Sequence, residues 1–574
     1  MQIRHLRAEN FRGTATLDWA PGAAFCCLIG PGDAGKSTVL DAIEAVLSSR
    51  WLFFGEHDFI GGDTSKTIII EVTVGELSKA LKSDERFGLY IRGWTSDGQL
   101  RDEPEGDDEA VLTVRLTVDA TLEPVWQIVC DRADEPRTIS NRDRALFGLV
   151  RLAGDDARHL AWGQGSILSR LTGESDEASA RLAAAYKAAR DSANLSEIEA
   201  LAKAAGAAER FAKSLGAYVE GGYGPGLELG RGGVSTGSIA LHDGGVPLRL
   251  AGLGSRRLAT LAIQKSAITE GAVVLVDEIE HGLEPHRIMG AISQLRADQL
   301  RAQEEGKPKG QILLTTHSEV ALGEAGAPNL RVCRTSRPER VTTIVKPGAP
   351  EPIRALMRHA PRALFSRRIM VSEGMTEVGI LNGAREFWPP LHGGMPIEHV
   401  GGFIADGNGA EAPAIALGLR GLGFEVALYR DSDTALPAGI PEQLAATGVP
   451  IIEYGNGLDV EHAIISQADD AQMQRLLDHL RAERGEGKIN DNLRAALGMG
   501  PDEITSPFAM WNLIAAHDAA GIRAIVADMC VQRKWLKDQR IARGAGPIAW
   551  DVAQSQPGSP LALSFAAARA WLYA

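Results

Sequence analysis

An apolar run, Phe25-Cys26-Cys27-Leu28-Ile29, leads directly into Gly30-Pro31-Gly32-Asp33-Ala34-Gly35-Lys36-Ser37-Thr38, and residues 39–47 continue with helical spacing. The run has the length and composition of a strand buried on both faces. The order is therefore strand, glycine-rich loop, helix, which commits this part of the chain to an α/β core. Glycines in that loop let backbone N–H groups converge on phosphate oxygens at a helix N-terminus. Lys36 is spaced to reach the outer phosphates, and the Ser37 hydroxyl is placed to ligate Mg²⁺. Gly30, Gly32, Asp33, Ala34, Gly35, Lys36, Ser37 and Thr38 are the expected contacts to a nucleoside triphosphate.

The length of 574 residues allows three or four domains. Hydrophobic residues at 44% and charged residues at 23% exclude a largely disordered chain. Sixty Lys+Arg against 74 Asp+Glu give a net charge of −14, which argues against a uniformly basic surface but not against a local basic groove. The five cysteines form no CxxC pair, so no zinc ribbon is expected. The first residues lack the apolar core of a signal peptide, and no apolar stretch is long enough to span a bilayer. These features predict a cytoplasmic protein with no membrane segment.

Further along, residues 66–130 alternate as antiparallel strands around an acidic loop, and residues 176–220 are Ala-rich with helical spacing. Residues 221–255 are rich in glycine turns. An apolar strand at 273–276 ends in Asp277-Glu278. The aspartate is placed to hold Mg²⁺ and the glutamate to polarise an attacking water. A second strand, 311–315, ends near His317, a candidate γ-phosphate switch. Gly252, Gly254, Ser255 and Arg256 precede a helix and offer a second phosphate-binding surface, one that in a dimer meets a nucleotide bound to the other subunit.

Prolines at 347, 350 and 352 mark 351–366 as a linker, after which βα alternation restarts. Glu373 closes a short strand and Glu377 lies one helical turn on. Asp431 and Asp433 follow a second strand, and Asp459 and Glu461 repeat the spacing of two. Carboxylates at the carboxyl ends of neighbouring parallel strands converge on one crevice. Hard oxygen donors in that number suit Mg²⁺ or Mn²⁺, and two such ions serve phosphodiester hydrolysis. The expected metal ligands are thus Glu373, Glu377, Asp431, Asp433, Asp459 and Glu461 in one site, and Ser37 and Asp277 in the other. The rest of the chain, from about 465, reads as helical.

The N-terminal part resembles the ABC/SMC-type ATPases, with residues 30–37 as Walker A, 273–278 as Walker B, 252–257 as the signature segment, His317 as the H-loop and Gln164 as the Q-loop candidate. The signature segment departs from LSGG, and Gly32 or Asp33 stands where an asparagine is usual. The acidic set, E-G-x-T-E then D-x-D then D-x-E, resembles the Toprim domain. An ATPase followed by Toprim resembles the OLD (overcoming lysogenization defect) nucleases. The resemblance implies an ATP-binding, metal-dependent DNA endonuclease or nickase, often in anti-phage defence. It implies a homo-oligomer, dimer or tetramer, assembled through the ATPase part, and a partner protein is possible for a defence system. It further implies a lysine that stabilises charge on the scissile phosphate, for which Lys534 and Lys537 are the candidates. The catalytic set is then Glu373, Asp431, Asp433 and Lys534 or Lys537, with Glu278 and His317 at the ATP site. DNA would run along Arg362, Arg367 and Arg368 and along residues 533–537.

The expected fold is α/β: an ABC-type ATPase domain over 1–350 with mixed sheets, the P-loop and a helical insert at 176–220 that could serve dimerisation. A Toprim core follows over 367–470, and a helical extension over 471–574. The alternative is an SMC-like, ATP-gated DNA clamp or repair mediator that does not cut.

Overall fold

The structure, a computed structural model, describes residues 1–152 and 271–574 except 349, together with parts of 153–270. Gln164 and part of the 176–220 segment lie outside the described residues; within that segment the helix Glu199–Ser214 is described.

Among the described residues two large sheets organise the fold, beside a small hairpin of His242–Asp243 with Val246–Pro247. The larger has fourteen strands. Five of them run parallel in the order Leu149–Leu152, Val273–Val276, Gln311–Thr315, Phe25–Ile29, Leu330–Thr335. The Phe25–Ile29 strand is buried throughout and lies between Gln311–Thr315 and Leu330–Thr335. Beyond this block, Val341–Val345 turns back antiparallel, and Thr14–Trp19 pairs parallel with it. Gln2–Phe11, Ile68–Gly75 and Glu109–Val118 then continue as an antiparallel ladder. The sheet is therefore mixed. Helix Lys36–Leu47 packs on one face through Val39, Leu40, Ile43, Val46 and Leu47, the spacing of a single helical stripe.

The smaller sheet has four parallel strands in the order Gly402–Asp406, Arg368–Ser372, Glu425–Arg430, Ile451–Glu453. Helices Met375–Ala384, Ala412–Gly421 and Ile440–Thr447 make the crossovers that parallel strands require. All carboxyl ends of the strands lie at one edge, so Glu373, Asp406 and Asp431 share that edge. Arg367 and Arg368 lie at the opposite edge, about five residues or ~16 Å of strand away.

Helix Met375–Ala384 is fixed by Gln539–Ser555, whose backbone it meets at very short range. A Cβ on Gly383 would collide with the Arg543 carbonyl oxygen, and one on Gly546 with Gly383 itself. Small residues on both helices permit this approach. The C-terminal helices wrap a core that holds Trp388, Trp511 and Trp535 fully buried.

The expected linker at 351–366 is a packed element instead. Pro350–His359 is an α-helix and Pro361–Phe365 a 3-10 turn. Proline is tolerated in the first helical turn, where no N–H is needed, so Pro350 and Pro352 start the helix rather than prevent it. Ile353, Leu356, Ala363 and Leu364 are buried in a cluster that also contains Ile29, Val276 and Leu314 of one sheet and Ile369, Val371 and Leu428 of the other. One apolar core thus joins the two sheets. Among the described residues no helix is long and apolar enough to cross a membrane.

Candidate functional sites: a phosphate loop and an acidic cavity

Gly35 adopts a left-handed φ of 84° and hands the chain into helix Lys36–Leu47. Lys36 is buried, and its Nζ donates to the carbonyls of Gly30 (3.1 Å) and Pro31 (2.9 Å), closing the loop on itself. Burial pushes the Lys36 ammonium down, against the pull of Cys333, Glu278, Glu280 and Asp277.

Asp277 is held from three sides. Ser37 Oγ donates to its Oδ1 at 3.1 Å, Thr315 Oγ1 donates to the same atom at 2.6 Å, and Arg151 reaches Oδ2 at 2.7 Å. Glu278 sits at a φ of 45°, with its N–H donating to Thr315 Oγ1. The turn after the Gln311–Thr315 strand is tied to Glu280, which accepts from Thr316 Oγ1 and from the His317 N–H, both at 2.6 Å. Burial, aided by the Lys36 charge, lowers the His317 pKa, so this imidazole is biased to neutral. The structure thus gathers the loop, Asp277, Glu278 and His317. Gly252, Gly254, Ser255 and Arg256 open the helix Leu253–Ser266, where Gly254 packs against Gly282 and Arg287. Arg151 escaped the sequence reading because its partners Asp41, Glu44 and Asp277 are more than a hundred residues away.

At the carboxyl edge of the smaller sheet a cavity of about 520 Å³ opens. Glu373, Glu377, Asp431, Asp433, Asp459, Glu461, Lys534 and Lys537 all line it. So do Asp406, Asn408 and His359, which sequence reasoning missed. Asp406 closes the strand Gly402–Asp406 as Glu373 and Asp431 close theirs; an acid at a third strand end was the available signal.

These carboxylates crowd one another in a poorly solvated place, and their pKa values show it. Burial, followed by the charges of Glu377, Glu373, Glu461 and Asp433, pushes Asp431 up to about 9. Burial also lifts Glu377 to about 7, with Glu373 and Asp406 contributing, and Glu461 to about 7, with Asp459 contributing. Glu373 is raised by burial despite Arg430. Asp431 Oδ1 and Glu373 Oε2 are buried with no hydrogen-bond partner.

Individual acids differ in their commitments. Arg430, itself buried, lies 3.6 Å from Glu373 and 2.6 Å from Glu453. Glu377 accepts from the Gly374 N–H at 2.7 Å. Asp459 caps helix Val460–Ile465 and grips His462 Nδ1 at 2.8 Å, so it has less freedom than Asp431 to serve a ligand. Among the described residues, no group of three or more His, Cys, Asp or Glu side chains is arranged to hold a metal ion.

The basic segments divide. Lys534 and Lys537 face the acids. Arg362 is held by Glu319 at 3.0 Å and Arg368 by Glu425 at 2.5 Å, and Arg367 lies beside Arg368 at the far edge of the sheet. Arg367 and Arg368 therefore do not border the acidic cavity.

Against known proteins, the family described as "AAA domain, putative AbiEii toxin, Type IV TA system" matches residues 171–323, a span that contains Asp277, Glu278 and His317. This part of the chain is similar to an AAA-type ATPase domain. The phosphate loop lies upstream of the matched span. An OLD nuclease of Thermus scotoductus is 37% identical over 76 residues, 12% of this chain, and the match spans 14% of that relative's length. Among solved structures, an SmcHead bound to the C-winged helix domain of ScpA aligns with 60% of this chain and 97% of its own at 18% identity and a TM-score of 0.31. An SMC head domain from Thermotoga maritima aligns with 60% of this chain and 99% of its own at 14% identity and a TM-score of 0.27.

Proposed function

We propose that the protein is an ATP-binding, Mg²⁺- or Mn²⁺-dependent DNA endonuclease of the OLD type. Residues 1–350 form the ATPase part, 367–470 a Toprim-type catalytic core, and 471–574 its helical extension. The observation that carries the reading is the single cavity shared by seven carboxylates and two lysines at the carboxyl ends of parallel strands. Buried carboxylate oxygens without partners, Asp431 Oδ1 and Glu373 Oε2, are the kind of donor that hard divalent cations take.

Glu373, Glu377, Asp431, Asp433 and Glu461, with Asp459 beside them, are the residues to hold the metal. Bound there, a divalent ion supplies Lewis-acid stabilisation of a phosphodiester and a more acidic water. The chain's own residues do the rest. Arg430 holds Glu373 in place against its acidic neighbours. Lys534 and Lys537 offset charge on a phosphate drawn into the cavity. At the other site, Lys36 leaves its two backbone carbonyls for the phosphates of ATP, Ser37 and Asp277 hold its Mg²⁺, Glu278 orients the attacking water, and His317 senses the γ-phosphate. Assembly of copies through the ATPase part, a partner protein and a role in anti-phage defence belong to the same reading.

One observation favours a second reading. Among the described residues no three acids are arranged to ligate one ion, which suits an SMC-like, ATP-gated DNA clamp that does not cut. Supercoiled plasmid incubated with Mg²⁺ or Mn²⁺, with and without ATP, separates the two. Nicking or linearisation that Asp431→Ala abolishes supports the nuclease. ATP hydrolysis and DNA binding with no cutting under either metal supports the clamp.

A further inference from the structure

At the amino ends of the smaller sheet's strands, away from the acids, lies a second cavity of about 550 Å³. One wall is the outer side of the phosphate loop, Pro31 to Ala34. Facing it are the turn that carries Arg334 and Arg337, and Arg367, Gly423 and Glu425 of the smaller sheet. Lys36, Ser37, Asp277, Glu278 and His317 do not line it, while Gly32, Asp33 and Ala34 of the loop do.

Three arginines from two parts of the chain meet here. Arg334 lies over the Phe424 ring at 4.7 Å and donates from Nη2 to the Arg367 carbonyl, while its Nη1 has no hydrogen-bond partner. Arg337 and Arg367 enter no ion pair among the described residues. Of the two acids on the wall, Asp33 and Glu425, the second is neutralised by Arg368 at 2.5 Å. An excess of positive charge is thus concentrated in a chain of net charge −14.

We propose that this cavity binds a small polyphosphate anion, either free or as the phosphate tail of a nucleotide. Guanidinium forks match phosphate oxygens in pairs, and the volume lies within the range of about 300–1,000 Å³ usual for small-molecule sites. Among the described residues no aromatic side chain lines the wall, so recognition falls on the phosphates. The ligand also touches both halves of the molecule. Thr335 Oγ1 donates to the Ala34 carbonyl at 3.0 Å, which ties the arginine turn to the phosphate loop. Arg367 immediately precedes the strand Arg368–Ser372, and Glu373 immediately follows it. The site does not depend on whether the acidic cavity cuts DNA.

Equilibrium dialysis of the full chain tests the proposal, with labelled pyrophosphate in one arm and labelled ADP in the other. Lys36→Ala disables the ATP face of the loop, and Arg337→Glu with Arg367→Glu reverses the charge of the cavity. Pyrophosphate binding should survive Lys36→Ala and fall about tenfold or more when the arginine double variant is made in the Lys36→Ala background, as expected for two lost charge-assisted contacts. If ADP behaves alike, the nucleotide tail is a ligand; if ADP is lost with Lys36→Ala while pyrophosphate persists, the free anion is. Circular dichroism checks folding, and the Arg337→Gln, Arg367→Gln pair replaces the glutamates if they unfold the chain. Pyrophosphate binding that disappears with Lys36→Ala and is indifferent to both arginine pairs would overturn the proposal. So would no binding at all by the folded wild-type chain at millimolar ligand.

Discussion

Replacing Asp431 by asparagine should make the protein more stable at alkaline pH, although it removes a central residue of the acidic cavity. The carboxyl is pushed from the ordinary 3.8 up to about 9, first by burial and then by Glu377, Glu373, Glu461 and Asp433. Between those two values the unfolded chain gives up the proton and the folded chain keeps it. The folded state therefore binds one proton more, and stability falls as pH rises through this window. Each pH unit costs about 1.4 kcal/mol for one such group, so the passage from pH 5 to pH 8 removes up to ~4 kcal/mol. Relaxation of the neighbours reduces this to about 2–4 kcal/mol. The asparagine side chain has nearly the same shape and does not titrate. Urea unfolding in EDTA, followed by fluorescence of the buried Trp388, Trp511 and Trp535, should give variant and wild type that diverge from pH 5 to pH 8. Stabilities that run parallel with pH, within about 0.5 kcal/mol, would refute the account of crowded, buried acids.

Two further outcomes follow from the same geometry. Gly383→Val should cost about 3 kcal/mol or more, because any Cβ there meets the Arg543 backbone and neither helix can give way cheaply; a thermal melt that leaves Tm unchanged would contradict the packing described. Mg²⁺ binding near pH 7 should release roughly one to two protons per chain, since Asp431 is then protonated and Glu377 and Glu461 titrate near that pH; calorimetry in two buffers of different ionisation enthalpy measures the release, and none would mean that the cation binds elsewhere.

The sequence was most legible where chemistry is local. The phosphate loop is one unbroken string, and its strand and helix flank it directly. Glu373 and Asp431 could be seen because each directly follows a short apolar strand, and Glu461 because it repeats the spacing of two from Asp459. What the sequence hid was pairing over distance. Nothing local in the sequence singles out Arg151 or Arg430, yet each is fixed by acids from other elements. The prolines at 347–352 read as a break because their residue type outweighs position, whereas in the first turn of a helix position wins. Arg367 and Arg368 lie close to Glu373 in sequence but not in space. A five-residue strand puts them at its far end.

The same strand spans the distance between the two cavities. One end of the Arg368–Ser372 strand starts at the basic cavity against the phosphate loop, and the other delivers Glu373 to the acids. The segment before the strand lies against the turn that carries His317: Arg362 pairs with Glu319 at 3.0 Å, and the His317 ring lies 6.0 Å from Phe365. His359, which ends the connecting helix, reaches the acidic cavity. A shift of His317 against a γ-phosphate would thus act on the turn Pro361–Phe365, whose Ala363 and Leu364 are anchored in the shared core. Such a core transmits displacement because it is close-packed and cannot absorb it. The connection that the proline-rich sequence disguised as a linker packs its Ile353, Leu356, Ala363 and Leu364 into the core that both sheets share.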